Sequence, residues 1–130
     1  MKEPQFERKL LAPGQRIVIY TLTRDGEDEV RDFLRTFRED EPRQARALQE
    51  VLQYFADHFP MVHEKWLSQL EDHGGVWVIK RNQGQRLYGF HVRSGLYLCR
   101  FDMKRARDHD RRVTDSVRRA WAEWSEQYGE

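Results

Sequence analysis

The chain has 130 residues, the length of one domain, and its four Trp, five Tyr and seven Phe exclude a disordered polymer. No apolar run approaches membrane-spanning length, so no membrane partner is expected. The formal net charge of +1 names no partner, but residues 1–75 carry 11 Lys and Arg against 15 Asp and Glu, and residues 76–130 carry 12 against 7. A polyanion would therefore be held by the second half.

Residues 1–15 are polar and contain Pro4, Pro13 and Gly14, which predicts an N-terminal arm before a single domain over 16–130. The start, MKEPQFERKLLAPGQR, has no apolar h-region of a signal peptide, so a cytoplasmic protein is expected. Residues 17–22 (IVIYTL) are a β-branched apolar run and predict the first strand. Arg24-Asp25-Gly26 breaks it with turn chemistry.

A helix follows from Glu27, because Val30, Phe33, Leu34 and Phe37 form one apolar stripe. The acids at 25 and 27–29 suit its N-terminus. EDEP at 39–42 separates it from a second helix, with Pro42 in the first turn. Ala45, Leu48, Leu52, Phe55 and Phe59 keep the helical period until Pro60 ends it. The short connection predicts a helical hairpin.

Residues 61–75 hold Trp66, Leu67 and Leu70 before Gly74-Gly75, and read as a helical turn or loop packed on the core. Three strand-like runs follow at 76–81, 86–92 and 96–103, joined by tight glycine turns, and predict an antiparallel meander. The first strand would pair at a sheet edge of that meander. The last element is helical: Val113, Val117, Ala120, Trp121 and Trp124 form its stripe, and Asp110 or Thr114 caps its start. The order β-α-α-β-β-β-α makes the fold α+β, with an N-terminal strand and helical hairpin packed on a small antiparallel sheet and a C-terminal helix.

Cys99 is the one cysteine, so no intramolecular disulfide framework exists. Between Leu96–Leu98 and Phe101 it reads as a buried, inert thiol. The five histidines show no metal-ligand spacing, and His63-Glu64 has no histidine at 67. No metal or cofactor is expected. The sequence CRFDMKRARDHDRR over 99–112 runs a strand directly into a cation cluster, and phosphate is the expected anion. Lys80, Arg86 and Arg100 lie on predicted strands close to the Lys104-Arg105 turn and are expected to converge on one face.

Four stretches carry a family likeness. They are Gly26-Glu27-Asp28-Glu29-Val30-Arg31-Asp32-Phe33-Leu34 after a strand, Leu67-x-x-Leu70 before GGVWVIKR, GQRLYGFHV, and GLYLCRFDMKRARDHD before an amphipathic helix. Over residues 17–124 the chain resembles the RelE/ParE toxin superfamily, and within it the HigB-like toxins of toxin–antitoxin modules. Val78 and Lys80 stand where that family's W-E-[IL]-R has glutamate and arginine. Arg100 stands at the histidine of L-L-H-x-F, Lys104-Arg105 at the paired lysines, and His109-Asp110 at T-P. Arg86 or Arg93 stands at the arginine of the middle strand.

The resemblance implies a RelE-like fold and a ribosome-dependent mRNA endonuclease that inhibits translation. In that chemistry the RNA 2′-OH attacks the neighbouring phosphorus, which needs a base, an acid and cations around the phosphorane. Lys80, Arg86, Arg100, Lys104 and Arg105 are the expected catalytic set, with Lys104 or Lys80 as base or acid. His91 or His109 titrates nearer neutrality and could also serve. Trp77 or Tyr88 could stack a base, although both also suit core positions, and Arg93, Arg107, His91 and His109 complete the expected RNA contacts. A cognate antitoxin that covers the basic face or displaces the last helix is implied, besides mRNA on the ribosome. Two other readings stand beside this one: a ParE-like inhibitor of DNA gyrase, and a non-catalytic binding module on the same fold.

Overall fold

The computed structural model describes residues 3–104 and 108–130. It is built on six strands, β1 (Phe6–Pro13), β2 (Val18–Arg24), β3 (Leu67–Leu70), β4 (Val76–Lys80), β5 (Gln85–Val92) and β6 (Gly95–Met103). Three α-helices accompany them, α1 (Glu29–Asp40), α2 (Pro42–His58) and α3 (Arg111–Tyr128). The strands form one mixed sheet in the order β1-β2-β6-β5-β4-β3. The α+β class, the helical hairpin and the C-terminal helix are as expected. The sheet is larger than expected and is not purely antiparallel.

Three elements depart from the sequence reading. Residues 6–13, read as part of an arm, form the edge strand β1, paired antiparallel with β2 from Phe6 opposite Arg24 to Pro13 opposite Val18. Residues 67–70, read as a turn or loop, form β3 on the opposite edge, antiparallel to β4, before a short 3₁₀ turn over Glu71–His73. The first predicted strand does join the meander at its edge, but it runs parallel to β6, with Ile19 opposite Leu96 and Thr21 opposite Leu98.

Local chemistry explains the helix ends. The Asp28 carboxylate accepts from the Arg31 backbone N–H at 2.9 Å and caps α1. Pro42 occupies the first turn of α2. Of the two candidate caps for α3, Asp110 is the one that acts: it accepts from the Arg112 N–H at 2.9 Å.

Because side chains alternate along a strand, each strand feeds two cores. Ile19, Leu67, Ile79, Leu87, Leu96 and Leu98 face α1 and α2, where Val30, Leu48, Leu52 and Phe55 are buried against them. Val76, Val78, Tyr88, Phe90 and Tyr97 face α3, where Val113, Val117, Ala120 and Trp124 cover them. The sheet is thus a middle layer with helices on both sides. Aromatic contacts fasten the α3 side: Tyr97 lies 4.6 Å from Trp124 and 5.1 Å from Tyr20 between ring centroids.

One irregularity shapes the site. Tyr88 pairs with Arg100 and Gly89 with Leu98, so Cys99 is the extra residue of a β-bulge in β6. Cys99 is partly buried, and desolvation pushes its thiol pKa up, as an inert thiol requires. Among the described residues no helix is long and apolar enough to cross a membrane.

Candidate anion-binding groove

Register places the candidate cations. Lys80 on β4 lies directly across from Arg86 on β5, and Arg86 lies across from Asp102 on β6. One step along, Val78, Tyr88 and Arg100 form the next row. Directly opposed residues share a face, so Lys80, Arg86, Tyr88 and Arg100 are on the α3 side of the sheet. They project at the end of the sheet where the chain crosses from β6 to α3.

Two cavities meet at Arg86, and their charge differs. The first is lined by Arg86, Arg100 and Arg112 but also by Asp102, Asp108 and Asp110, so its formal charges balance. The second, about 430 Å³, is lined by Lys65, Trp66, Lys80, Arg81, Asn82, Gly84, Gln85, Arg86 and Lys104. It presents five cations and, among the described lining residues, no carboxylate. That lining suits a phosphate group.

The backbone builds this second groove from neighbouring segments. The Lys80 N–H donates to the Trp66 carbonyl at 2.8 Å, continuing the β3–β4 ladder to the groove wall. Arg81 N–H donates to the Gln85 carbonyl at 2.9 Å across the β4–β5 turn. The Lys104 N–H donates to the Gly84 carbonyl at 2.7 Å, which ties the end of β6 to that turn. Gly84 has φ +92°, and a Cβ there would sit 3.3 Å from the Lys104 Cβ. The turn therefore needs glycine both for its backbone and for the approach of Lys104.

The cations are held at a cost. Burial lowers the Lys80 pKa, and the Arg86 and Lys104 charges lower it further, while Glu64 works in the opposite direction. Burial also lowers Arg81. Arg86 is 5% exposed, and one of its Nη atoms donates to the Asp108 carbonyl at 3.3 Å.

Beside Arg86, Tyr88, His109 and His73 form an array of hydrogen bonds and ring contacts. The Tyr88 hydroxyl is 2.9 Å from His109 Nδ1, and the His73 ring meets the His109 ring edge-on at 5.8 Å between centroids. His73 Nδ1 is in turn 2.8 Å from Thr114 Oγ1 on α3. Burial, followed by the charges of Arg86 and its neighbours, lowers the His109 pKa to about 4. His109 is therefore neutral at pH 7 and does not add to the anion-binding charge.

That depression has a sign that can be measured. The folded state binds fewer protons than the unfolded state between about 4 and the usual 6.5, so acidification through this window removes stability. A His109→Gln variant is expected to lose less melting temperature than the native protein between pH 6.5 and 4.5. Calorimetry at matched ionic strength checks this; equal losses would show that His109 does not carry the effect.

Several expected site residues are elsewhere. Trp77 and His91 face the α1–α2 side, where Phe59 lies 4.9 Å from Trp77 and 4.7 Å from His91. Their odd spacing from Lys80 and Arg86 turns them to the opposite face of the sheet. Arg93 sits in the β5–β6 turn, at the far end of β5 from Arg86. Tyr88 is on the expected face but is fully buried, so its ring is core and not a surface for a base. Arg100 is committed within the fold: its Nε is 2.9 Å from Glu29 of α1, and one Nη donates to the Ser116 hydroxyl of α3 at 2.5 Å. Arg105 and Arg107 lie outside the described residues.

Lys80, Arg86 and Lys104 are thus brought together, and Lys65, Trp66 and Arg81 are added to them. Lys65 and Trp66 enter the groove because β3 pairs antiparallel with β4, a pairing that the four residues LSQL do not announce. Among the described residues, no cluster of three or more His, Cys, Asp or Glu is arranged to hold a metal ion. Comparison of the chain with protein-family models, with curated proteins and with solved structures found no match.

Proposed function

We propose that the protein is a metal-independent endoribonuclease, acting on mRNA at the ribosome as the toxin of a toxin–antitoxin pair. The observation that supports this reading is the groove of Lys65, Lys80, Arg81, Arg86 and Lys104, with no carboxylate among its described lining residues. In this reading Arg81 and Arg86 hold the scissile phosphate and offset the charge that builds on it in the transition state. Lys80, whose ammonium is made more acidic by burial and by Arg86, gives its own proton to solvent and, as the free amine, takes the proton of the 2′-OH. Lys104 delivers a proton to the departing 5′-oxygen. The 2′-oxygen then closes on phosphorus, leaving a cyclic phosphate on one fragment and a 5′-hydroxyl on the other. An antitoxin would act by covering this groove with acidic side chains.

The test is primer-extension mapping of mRNA ends in a translation reaction. New ends that require ribosomes are expected with the native chain and are expected to vanish with a Lys80→Ala/Lys104→Ala variant. Intact mRNA in the presence of folded native protein would sink cleavage. The groove would then belong to a binding role toward a nucleic acid or toward gyrase.

A further inference from the structure

We propose that Trp66 is a stacking platform for one unpaired nucleobase, so that the groove takes single-stranded nucleic acid and rejects duplex. The proposal rests on the reading of the groove as a phosphate site and adds to it the part of the ligand that is not phosphate.

Trp66 lines the same groove as Lys80, Arg86 and Lys104. Its backbone is fixed there by the hydrogen bond from the Lys80 N–H to its carbonyl. The ring is half-buried and packs against the α1–α2 core, which holds it in place. The Lys65 ammonium lies over the ring at 4.9 Å from the centroid. A lysine on a flexible stem is an exchangeable cover. When a base takes its place, the ammonium is still next to the groove and can move onto a phosphate.

No other described aromatic lines this groove. Tyr88 is enclosed, and Trp77 packs beside Phe59 on the opposite face. Asn82, exposed in the β4–β5 turn, adds an amide that both donates and accepts at a base edge. Bases inside a duplex have both faces covered by their neighbours, so only an unpaired base can use the indole.

The experiment measures binding by fluorescence anisotropy. The probes are a labelled 2′-O-methyl RNA dodecamer, in which the attacking hydroxyl is blocked, its duplex, and, by competition, inorganic tripolyphosphate. The native chain is expected to favour the single strand. Trp66→Leu is expected to weaken single-strand binding roughly tenfold or more, the usual effect of losing one stacked base. Trp66→Phe is expected to restore most of it, and tripolyphosphate is expected to bind both variants as it binds the native chain, which also reports that they are folded. Undiminished single-strand binding by Trp66→Leu, with Lys104→Ala weakened, would overturn the stacking platform and leave the phosphate groove standing. Equal affinity of the native chain for single strand and duplex would overturn it as well. Absence of tripolyphosphate and RNA binding by the native chain would remove the groove reading itself.

Discussion

Lys80→Met is expected to raise the melting temperature while lowering RNA cleavage by about 100-fold or more. The two effects have one origin. Lys80 lies across from Arg86 and beside Lys104, and its pKa is lowered from 10.5 first by burial and then by the Arg86 charge. A lysine lowered in this way favours the unfolded state at every pH below its folded pKa, because the unfolded chain carries the charge more easily. The cost is fully present below the folded pKa and fades as pH rises from there toward 10.5.

Methionine keeps the length of the side chain and removes the charge, so that cost disappears together with the group to which the proposed cleavage assigns proton transfer. Since the site is only partly buried, the expected rise in melting temperature is modest, about 2 °C or more. Tripolyphosphate should stabilise the native chain more than the variant, because a bound anion offsets the same repulsion. Differential scanning calorimetry with and without the anion checks both signs. A fall in melting temperature would show that Lys80 is instead held by favourable contacts, such as one with Glu64.

Gly89→Ala is expected to cost about 3 kcal/mol or more, a large share of the stability of a domain this size. Gly89 sits beside the bulge, where β5 pairs with Trp77 of β4 on one side and Leu98 of β6 on the other. A Cβ there would meet the Tyr97 carbonyl oxygen at 2.1 Å and its carbon at 2.8 Å. Both are backbone atoms of the central strands, so no side chain can turn aside to make room. Urea unfolding followed by tryptophan fluorescence measures the loss. A cost below 1 kcal/mol would mean that β6 can shift away from β5, and would weaken the placement of Arg100 that the bulge provides.

Much of the fold was legible because periodicity and punctuation agreed. The stripes Val30-Phe33-Leu34-Phe37 and Val113-Val117-Ala120-Trp124 mark helices with one buried side, and glycine turns separate β4, β5 and β6. β1 escaped because it is an edge strand that buries little: Ala12 is enclosed, while Glu7 to Leu10 are exposed, so FERKLLAP shows no alternation. β3 escaped because four residues are too few to display a period. The parallel pairing of β2 with β6 leaves no local mark at all.

In the site, Lys80, Arg86 and Lys104 were readable from their places on the meander. Trp77 was misassigned although strand parity already separates it from Lys80. The reach of Trp66 into the groove depended on β3, and was lost with it. The commitment of Arg100 to Glu29 and Ser116 depends on helices far away in the chain, and no spacing reveals it.

The pairing of β2 with β6 also orders the events of folding in time. Ile19 and Leu96 are neighbours in the sheet but 77 positions apart along the chain. Closing such a loop is slow, and a topology rich in distant pairings folds more slowly than one built from adjacent hairpins. During synthesis β1, β2, α1 and α2 emerge first, with one edge of β2 still unpaired. The segments that enclose the cation groove, 65–86 and Lys104, come later, and the docking of β6 beside β2 joins them to the waiting N-terminal half. The charged groove is therefore among the last parts of the nascent protein to acquire its shape.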